Sequence, residues 1–219
     1  MKTLTLSGWT QPADALASIV PDSVHFDYSD YSNPEASFDG LKQFQHIEYV
    51  VAWSMGGQLA LRAIAAGVLK PKKLVLIAAP YQFVGKDGMD AFTFTQFRQN
   101  YAADATRSKT RFHGLIAKGD VRHRAIVGLL GHHPEVENTQ RWLPWLDELA
   151  QFSVESLDKS VIPAPFVIHG TEDVIVPLKQ SEALLAHLGA GQLDAWESCG
   201  HAPHLHDTEM FRKRLSEWR

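Results

Sequence analysis

The feature that most constrains this chain is an alternation of short apolar runs with helical patterns. Two runs, YVVAWS at 49–54 and KLVLIAA at 73–79, are almost continuously apolar. Such runs are typical of central strands that helices cover on both faces. Strands that alternate with helices predict an α/β fold with a mostly parallel sheet. The six predicted strands are residues 3–7, 23–28, 47–53, 73–79, 164–170 and 192–197.

Helical patterns separate or follow most of these strands, and one long segment interrupts the alternation. The shorter helical patterns cover residues 11–20, 38–44, 57–69, 178–188 and 208–218. Residues 82–158 are helical and charged in pattern and contain no convincing strand. We therefore predict a core of residues 1–81 and 159–219, with a helical insertion, 82–158, between the fourth and fifth strands. Because open α/β sheets bind ligands at the carboxyl ends of their strands, the insertion is expected to form a lid there.

Composition excludes several other classes of protein. The 219 residues are 45% hydrophobic and 21% charged, which is ordinary for one globular unit. A net charge of −4 gives no reason to expect nucleic-acid binding. The single cysteine, Cys199, favours a reducing compartment. No signal peptide or membrane-spanning run is evident, so we expect a soluble, cytoplasmic monomer with no membrane partner.

A serine follows the third predicted strand in the stretch VVAWSMGGQLAL, residues 50–61. A serine at this place often caps the helix that follows. Here Ala52 and Gly56 flank Ser54 at two residues on each side, which allows a very tight turn with the serine at its apex. This pattern is close to the Gly-x-Ser-x-Gly nucleophile elbow, with alanine in place of the first glycine. Ser54 is therefore the predicted nucleophile.

A serine nucleophile needs a histidine base and a carboxylate that fixes the tautomer of that base. Asp173 follows the fifth predicted strand in VIHGTEDVIVP, and His201 follows the sixth in WESCGHAPHLHD. The order serine, acid, histidine is the order found in α/β-hydrolases. Glu172 is the alternative acid, but the arrangement Gly-x-x-Asp from Gly170 favours Asp173. We therefore predict a Ser54–His201–Asp173 triad.

Other histidines and the cysteine admit different interpretations. His204 and His206 in HAPHLH suggest a metal site, but no carboxylate or cysteine cluster accompanies them in the sequence. We therefore expect no metal and no other cofactor. The pair at 132–133 is expected in a solvated polar loop. Cys199 lacks the context of a nucleophile and is predicted to be a small packing residue.

Acyl transfer also needs backbone donors where negative charge develops on the carbonyl oxygen. The N–H of Met55, directly after the nucleophile, is one predicted donor. Trp9, in the loop after the first strand, is the second, because Gly8 lets the backbone approach closely. The ring of Trp9 is then expected to wall the pocket. The alternative is that Trp9 is only a core aromatic residue.

These motifs together resemble the α/β-hydrolase superfamily, and within it the pimeloyl-acyl-carrier-protein methyl ester esterases of biotin synthesis. The resemblance rests on SGW near the start, FDYSDY, VVAWSMGG, HGTEDVIVP and GHAPHLHD. It implies an α/β-hydrolase fold and the removal of a methyl ester from a pimeloyl chain on acyl carrier protein. It also implies the triad above, with Trp9 and Met55 as oxyanion donors. One departure is Ser7, which stands where the family usually has histidine.

The segment 98–124 carries seven arginines and lysines against two aspartates. Acyl carrier proteins are acidic, so a basic patch beside the pocket would attract them. The predicted substrate-binding residues are Trp9, Tyr81, Phe94, Arg107, Arg111 and Arg122. The alternative is that the basic residues form only a solvated helical face. The alternative functions are a general short-chain carboxylesterase or lactonase and, more remotely, a non-catalytic binding protein.

Overall fold

A computed structural model describes residues 2–131 and 141–218 of the chain. Six strands form one sheet in the order β2-β1-β3-β4-β5-β6, and every neighbouring pair is parallel. The predicted α/β architecture is confirmed, and the sheet is entirely parallel within the described residues. The strands are β1 (Thr3–Leu6), β2 (Val24–His25), β3 (Tyr49–Trp53), β4 (Lys73–Ile77), β5 (Phe166–Gly170) and β6 (Gln192–Trp196).

Helices flank this sheet and fill the connections between its strands. Those outside the long insertion are α1 (Pro34–Leu41), α2 (Met55–Ala65), α7 (Lys179–Leu188), α8 (Pro203–His206) and α9 (Thr208–Trp218). Those between β4 and β5 are α3 (Ala91–Ala103), α4 (Ala105–Ile116), α5 (His123–Gly131) and α6 (Trp142–Gln151). The predicted helical segment between the fourth and fifth strands is therefore present. None of the helices in the described ranges is long and apolar enough to cross a membrane.

The apolar runs form the centre of the molecule, as their composition predicts. Val50, Ala52 and Leu76 have no measurable exposure. Strands covered on both faces need apolar side chains at successive positions, without alternation. The same burial explains why β3 and β4, the two central strands, were the easiest to predict.

The predicted helix at 11–20 was wrong. The segment forms successive turns in which an N–H donates to the carbonyl oxygen three residues earlier. Ala15 N donates to Pro12 O in this way, and Ile19 N to Leu16 O. Residues three apart share a face in such tight turns. Leu16 and Ile19 are both buried in this way, so the segment satisfies its apolar pattern without an α-helix.

Several boundaries also differ from the predicted ones, most clearly those of β2 and α1. The second strand shortens to two residues, because it lies at the edge of the sheet and pairs only with β1. Helix α1 begins before the predicted residues 38–44. The Asn33 side chain accepts a hydrogen bond from Ala36 N, and Pro34 occupies the first helical position. Both are standard start signals for a helix.

Candidate active site

Ser54 lies in the sharp turn between β3 and α2. Its φ of 54° and ψ of −119° are uncommon for a residue with a side chain. Its N–H donates to Ile77 O at 2.8 Å, which fixes the turn against β4. The Ser54 side chain makes no capping bond to α2. The strained backbone thus points to a role for the hydroxyl other than helix capping.

Gly56 is required by the packing of this turn. A Cβ at Gly56 would lie 2.3 Å from Leu6 O and 2.4 Å from Ser7 O. The first turn of α2 therefore lies directly against the end of β1, which pairs with β3 through Leu6 and Ala52. This close approach brings the loop after β1 beside Ser54.

The three predicted catalytic side chains meet at the carboxyl edge of the sheet. His201 Nε2 lies 2.9 Å from Ser54 Oγ, and His201 Nδ1 lies 2.6 Å from Asp173 Oδ2. All three residues are at most 7% exposed. Because a carboxylate only accepts, His201 Nδ1 carries the proton and donates to Asp173, and Nε2 accepts from the Ser54 hydroxyl. That tautomer is the one needed by a general base.

Asp173 is fixed by hydrogen bonds to both of its oxygens. Oδ1 accepts from Ile175 N and Val176 N, each at 2.9 Å. Burial raises the pKa of this carboxyl, but the charge of His201 and hydrogen bonds from His169 and His201 outweigh that effect. The pKa therefore lies well below its usual range, and Asp173 is an anion at neutral pH.

Glu172, the alternative acid, occupies a different environment. Its residue is exposed, and its carboxylate accepts a hydrogen bond from the Thr171 hydroxyl at 3.3 Å. Its N–H donates to Cys199 O at 2.9 Å, so its backbone contacts the loop that carries His201. The geometry thus favours Asp173 as the partner of His201.

His169 is a buried partner of Asp173 that the sequence analysis missed. Its Nε2 lies 2.7 Å from Val176 O and 3.1 Å from Asp173 Oδ2, and its Nδ1 lies 2.6 Å from Ser181 Oγ. A carbonyl only accepts, so Nε2 carries the proton and Nδ1 accepts from Ser181. Asp173 Oδ2 is therefore shared by two histidines. The signal was present in the sequence as His169 at the end of a strand, four residues before the acid.

Trp53 joins the serine loop to the histidine loop. Its indole N–H donates to His201 O at 2.9 Å, and it is 1% exposed. The His204 ring lies 4.4 Å from the Trp53 ring in an edge-on arrangement. Within the described chain the two ring nitrogens of His204 have no hydrogen-bond partner. Burial and the nearby His201 lower the pKa of His204 to about 3, so this histidine is a neutral packing residue.

The two predicted oxyanion donors come from different segments, the start of α2 and the loop after β1. Met55 is the first residue of α2, so its N–H is one of the helix N-terminal donors that lack an intrahelical acceptor. Such donors, with the helix dipole behind them, favour negative charge. Trp9 lies in the loop after β1, which a hydrogen bond from Gln11 N to Gly8 O closes at 3.1 Å.

The Trp9 side chain packs into the helical segment. Its ring centroid lies 5.5 Å from Phe97, 4.7 Å from Tyr101 and 5.2 Å from Phe112. The indole N–H donates to Trp142 O at 3.0 Å, and the residue is 3% exposed. The ring thus anchors helices α3, α4 and α6 to the loop after β1. This packing agrees with the interpretation of Trp9 as a core aromatic residue. The group of Trp9 that could still serve as an oxyanion donor is its backbone N–H.

Comparison with known proteins decides the family. The sequence profile described as the alpha/beta hydrolase family matches residues 5–213. The chain belongs to this family. An esterase from Exiguobacterium antarcticum has a similar fold, with a TM-score of 0.82 at 16% identity, covering 100% of this chain and 91% of that one. The predicted α/β-hydrolase fold is thus confirmed, and so is the prediction that the chain is a hydrolase.

Two sequence relatives carry the same description. The pimeloyl-[acyl-carrier protein] methyl ester esterase of Nitrosomonas europaea is 31% identical over 173 residues, which cover 74% of this chain and 67% of the relative. The protein of that description from Aromatoleum aromaticum is 30% identical, over 73% of this chain and 69% of the relative. A 2-hydroxymuconate semialdehyde hydrolase from Pseudomonas is 26% identical over 91% of this chain. The predicted resemblance to the methyl ester esterases is confirmed.

Tyr81 and Phe94, two predicted substrate-binding residues of this hydrolase, have different surroundings. The Tyr81 ring lies 5.7 Å from the His187 ring of α7, and Tyr81 O accepts from Val154 N at 3.0 Å. Phe94 on α3 is 8% exposed and packs edge-on against Phe83 at 6.4 Å. None of these contacts involves a residue of the triad.

The basic residues of segment 98–124 divide into two groups. Arg98 forms a two-point ion pair with Asp147 of α6, and the Arg122 guanidinium donates to His206 O. The other five have no ion pair among the described residues, and four of them are exposed, whereas Lys109 is half-buried. These are Arg107, Lys109, Arg111, Lys118 and Arg124. All three of Arg107, Arg111 and Arg122 are predicted substrate-binding residues, but Arg122 differs from the other two because its guanidinium is already hydrogen-bonded within the protein.

His206, the last histidine of HAPHLH, has partners that the sequence could not show. His206 Nδ1 lies 2.9 Å from Asp120 Oδ2, and Cys199 lies beside both. The expectation that no carboxylate or cysteine accompanies these histidines was therefore wrong. Asp120 is 79 residues from Cys199 along the chain, so the local sequence held no sign of this cluster. The histidine pair at 132–133 lies outside the described residues.

Proposed function

We propose that the chain is a serine carboxylesterase in which Ser54 is the nucleophile, His201 the general base and Asp173 the acid. The observation that carries this proposal is the continuous hydrogen-bond chain from Ser54 Oγ through His201 to Asp173, at 2.9 and 2.6 Å. Its members come from three different strand ends of a hydrolase fold. That arrangement speaks against a non-catalytic binding protein, because backbone strain like that of Ser54 clusters at active sites and the serine is hydrogen-bonded to a histidine.

The reaction follows from this arrangement. His201 Nε2 takes the Ser54 proton while Oγ attacks the ester carbonyl carbon, which gives a tetrahedral intermediate. The backbone N–H groups of Met55 and Trp9 are the proposed donors to its oxyanion. The intermediate collapses, and the alcohol leaves with the proton that His201 carries. Water then repeats the sequence on the acyl-enzyme, which releases the acid and restores Ser54.

The proposed substrate is the methyl ester of a pimeloyl chain carried on acyl carrier protein. Two relatives, 31% and 30% identical to this chain, are described as esterases of that substrate. The unpaired cations of segment 98–124 provide a second argument, because an acidic carrier would be attracted to them. Arg107 and Arg111 on α4 are the proposed contacts of the carrier. The other proposed substrate-binding residues are Trp9, Tyr81, Phe94 and Arg122. Arg122 would act indirectly, through the hydrogen bond from its guanidinium to His206 O.

The insertion, residues 82–158, is proposed to be the lid of a core formed by 1–81 and 159–219. Its aromatic residues pack on Trp9, one residue beyond the glycine that closes the loop after β1. A cover at this place would exclude water while the acyl chain is bound. The protein is proposed to act as a cytoplasmic monomer, which agrees with its single free cysteine.

The decisive experiment compares two substrates that share one ester. Hydrolysis of monomethyl pimelate is measured beside hydrolysis of the same acyl chain on acyl carrier protein, with Ser54→Ala as the blank for both. We expect kcat/KM to be much larger for the carrier-bound ester. Equal values would favour the second candidate, a general short-chain carboxylesterase or lactonase without carrier preference. That candidate is supported by the engagement of Arg98 and Arg122 within the protein itself.

A further inference from the structure

Three potential metal ligands converge outside the triad. One ligand atom each from Asp120, Cys199 and His206 lie within 4.8 Å of one another. Asp120 lies between α4 and α5, Cys199 follows β6, and His206 ends α8. Asp120 and Cys199 are buried, and the His206 side chain is 15% exposed, which leaves a path from solvent.

The carboxylate of Asp120 is the centre of this cluster. Its Oδ2 lies 2.9 Å from His206 Nδ1 and accepts from Gly200 N at 3.1 Å. Its Oδ1 accepts from Arg122 N at 2.7 Å. Burial, followed by the charges of Asp120 and Asp173, raises the pKa of the Cys199 thiol. The Cys199 thiol donates to Gly200 O at 3.6 Å, and His206 Nδ1 faces Asp120 Oδ2.

We propose that this cluster, Asp120–Cys199–His206, binds a borderline-soft divalent cation of the Zn²⁺ class. A thiolate, an imidazole and a carboxylate are the ligand types that Zn²⁺ takes, and three protein ligands leave a fourth position open. Bonds of about 2.0–2.3 Å in a tetrahedron place ligand atoms about 3.3–3.6 Å apart. The His206–Asp120 separation of 2.9 Å therefore has to open by about 0.5 Å. The Cys199 sulfur, which lies within 4.8 Å of both other ligand atoms, has to approach them by at most about 1.2 Å.

The binding step is a replacement of protons by a cation. The thiol of Cys199 loses its proton to solvent and its sulfur bonds to the metal, while His206 binds as neutral imidazole through Nδ1, with its proton on Nε2. The nearby cation reverses the effect that keeps the thiol protonated. Affinity should consequently rise with pH, as it does wherever a metal displaces a proton.

The cluster is joined to the triad through the histidine loop. Cys199 is two residues before His201, and Asp120 holds Gly200 between them. The His201 N–H donates to Ile116 O at the end of α4. A cation that opens the Asp120–His206 contact would shift this loop, so bound Zn²⁺ should lower esterase turnover. The proposal of metal binding itself does not depend on the proposed substrate.

The test uses Co²⁺ as a spectroscopic substitute for Zn²⁺. Cys199 is the single cysteine of the chain, so a thiolate-to-cobalt charge-transfer band reports this site and excludes the triad. We expect the band to saturate at one equivalent, to be displaced by Zn²⁺ and to be absent in Cys199→Ser. His206→Asn should weaken Co²⁺ binding at least about tenfold, since even loss of an outer-shell partner costs about 10–100-fold.

The matched control is His46→Asn. His46 is an exposed histidine that lies beside Lys70 and Lys72, at the amino ends of the strands and so away from the carboxyl ends that carry the triad. This substitution should leave Co²⁺ binding unchanged. A wild-type protein that gives no thiolate band would overturn the proposal. A band that His206→Asn leaves as strong as in wild type would overturn it as well. Inhibition by Zn²⁺ that persists undiminished in Cys199→Ser would show that any effect on turnover arises elsewhere.

Discussion

The sheet edge and the helical segment α3–α6 position their residues by different means. At the sheet edge, backbone atoms hold the side chains that matter. Asp173 Oδ1 accepts from two N–H groups, and Ser54 N bonds to β4. The four non-glycine residues of the described chain with positive φ all follow strands, at Thr10, Ser54, Ala78 and Ser198. Strain of this kind persists only where the surrounding structure is rigid.

The helical segment is held mainly by side chains. Trp9 packs against Phe97, Tyr101 and Phe112, and Arg98 pairs with Asp147. Four of its exposed cations, Arg107, Arg111, Lys118 and Arg124, have no ion pair in the described chain. This difference predicts which kinetic step a substitution in each region should affect. Changes at the sheet edge should alter the chemical step, whereas changes on the helices should alter encounter with substrate.

The largest expected effect is at the serine. Ser54→Ala removes the attacking oxygen but leaves the turn and its backbone bonds, so the protein should remain folded. We expect turnover to fall by about 10⁶-fold, as for other triad serines. Turnover is followed with a p-nitrophenyl ester, and folding by circular dichroism. Activity within tenfold of the wild type would remove Ser54 from the mechanism.

The next largest effect distinguishes two adjacent carboxylates. Asp173→Asn leaves the shape of the site but loses the charge that orients His201, and we expect kcat to fall by about 10⁴-fold. Glu172→Gln is the matched control and should be mild, because Glu172 is exposed and the hydrogen bond from Glu172 to the histidine loop comes from its backbone N–H. Steady-state kinetics of the two variants provide the measurement. The opposite ranking would make Glu172 the acid.

The triad could be predicted from sequence because sheet topology does most of the positioning. Parallel strands end at one edge, so three residues that each follow a strand are brought near one another. His169 was missed because its role depends on the side chain reaching Asp173 Oδ2 and Ser181 at once. The Asp120–His206 contact was missed because it joins two distant segments. Contacts made by side chains across the fold leave no periodicity in the sequence.

His169 tests how far the rigidity of the sheet edge extends. His169→Phe keeps a buried ring but removes the donor to Asp173. A hydrogen bond to a charged group contributes about 1.5–3 kcal/mol, so kcat should fall by about 10- to 100-fold with little change in KM. His169→Gln restores an N–H near Nε2 and should recover much of the loss. Equal losses in both variants, matched by equal losses of stability, would reduce His169 to a packing residue.

His204 is expected to affect stability, in contrast to His201, whose proposed role is in the reaction. The pKa of His204 is lowered from 6.5 to about 3 in the folded protein. The unfolded chain therefore binds more protons between these values, so the stability is complete above about pH 6.5 and declines as the pH falls toward about 3. At about pH 5 the loss is about 2 kcal/mol.

Urea unfolding at about pH 8 and about pH 5 measures this contribution. His204→Phe should show a smaller difference between the two pH values than the wild type, whatever its stability at either one. His46→Phe, at an exposed position, is the control and should keep the wild-type difference. An unchanged pH dependence in His204→Phe would mean that His204 titrates normally in the folded protein.

The smallest effect, and the one specific to the helical segment, concerns its unpaired cations. Arg107 and Arg111 on α4 are exposed and carry no ion pair in the described chain, so reversing them to glutamate should leave the fold intact. If an acidic carrier protein docks there, the double reversal should lower kcat/KM for the carrier-bound ester several-fold and leave kcat unchanged. Charges at the rim of an interface act mainly on association rate and its salt dependence.

Added salt should reproduce this loss in the wild-type protein, because the screening length falls from about 8 Å at physiological ionic strength to about 3 Å at 1 M. A p-nitrophenyl ester, which needs no docking, is the internal control and should be nearly unaffected by either change. Arg122 is left intact, since its guanidinium holds His206 O beside the histidine loop. Lys70→Glu with Lys72→Glu, at the opposite edge of the sheet, matches the charge change without touching α4. Equal losses in both double variants would assign the effect to net charge and leave segment 98–124 as a solvated surface.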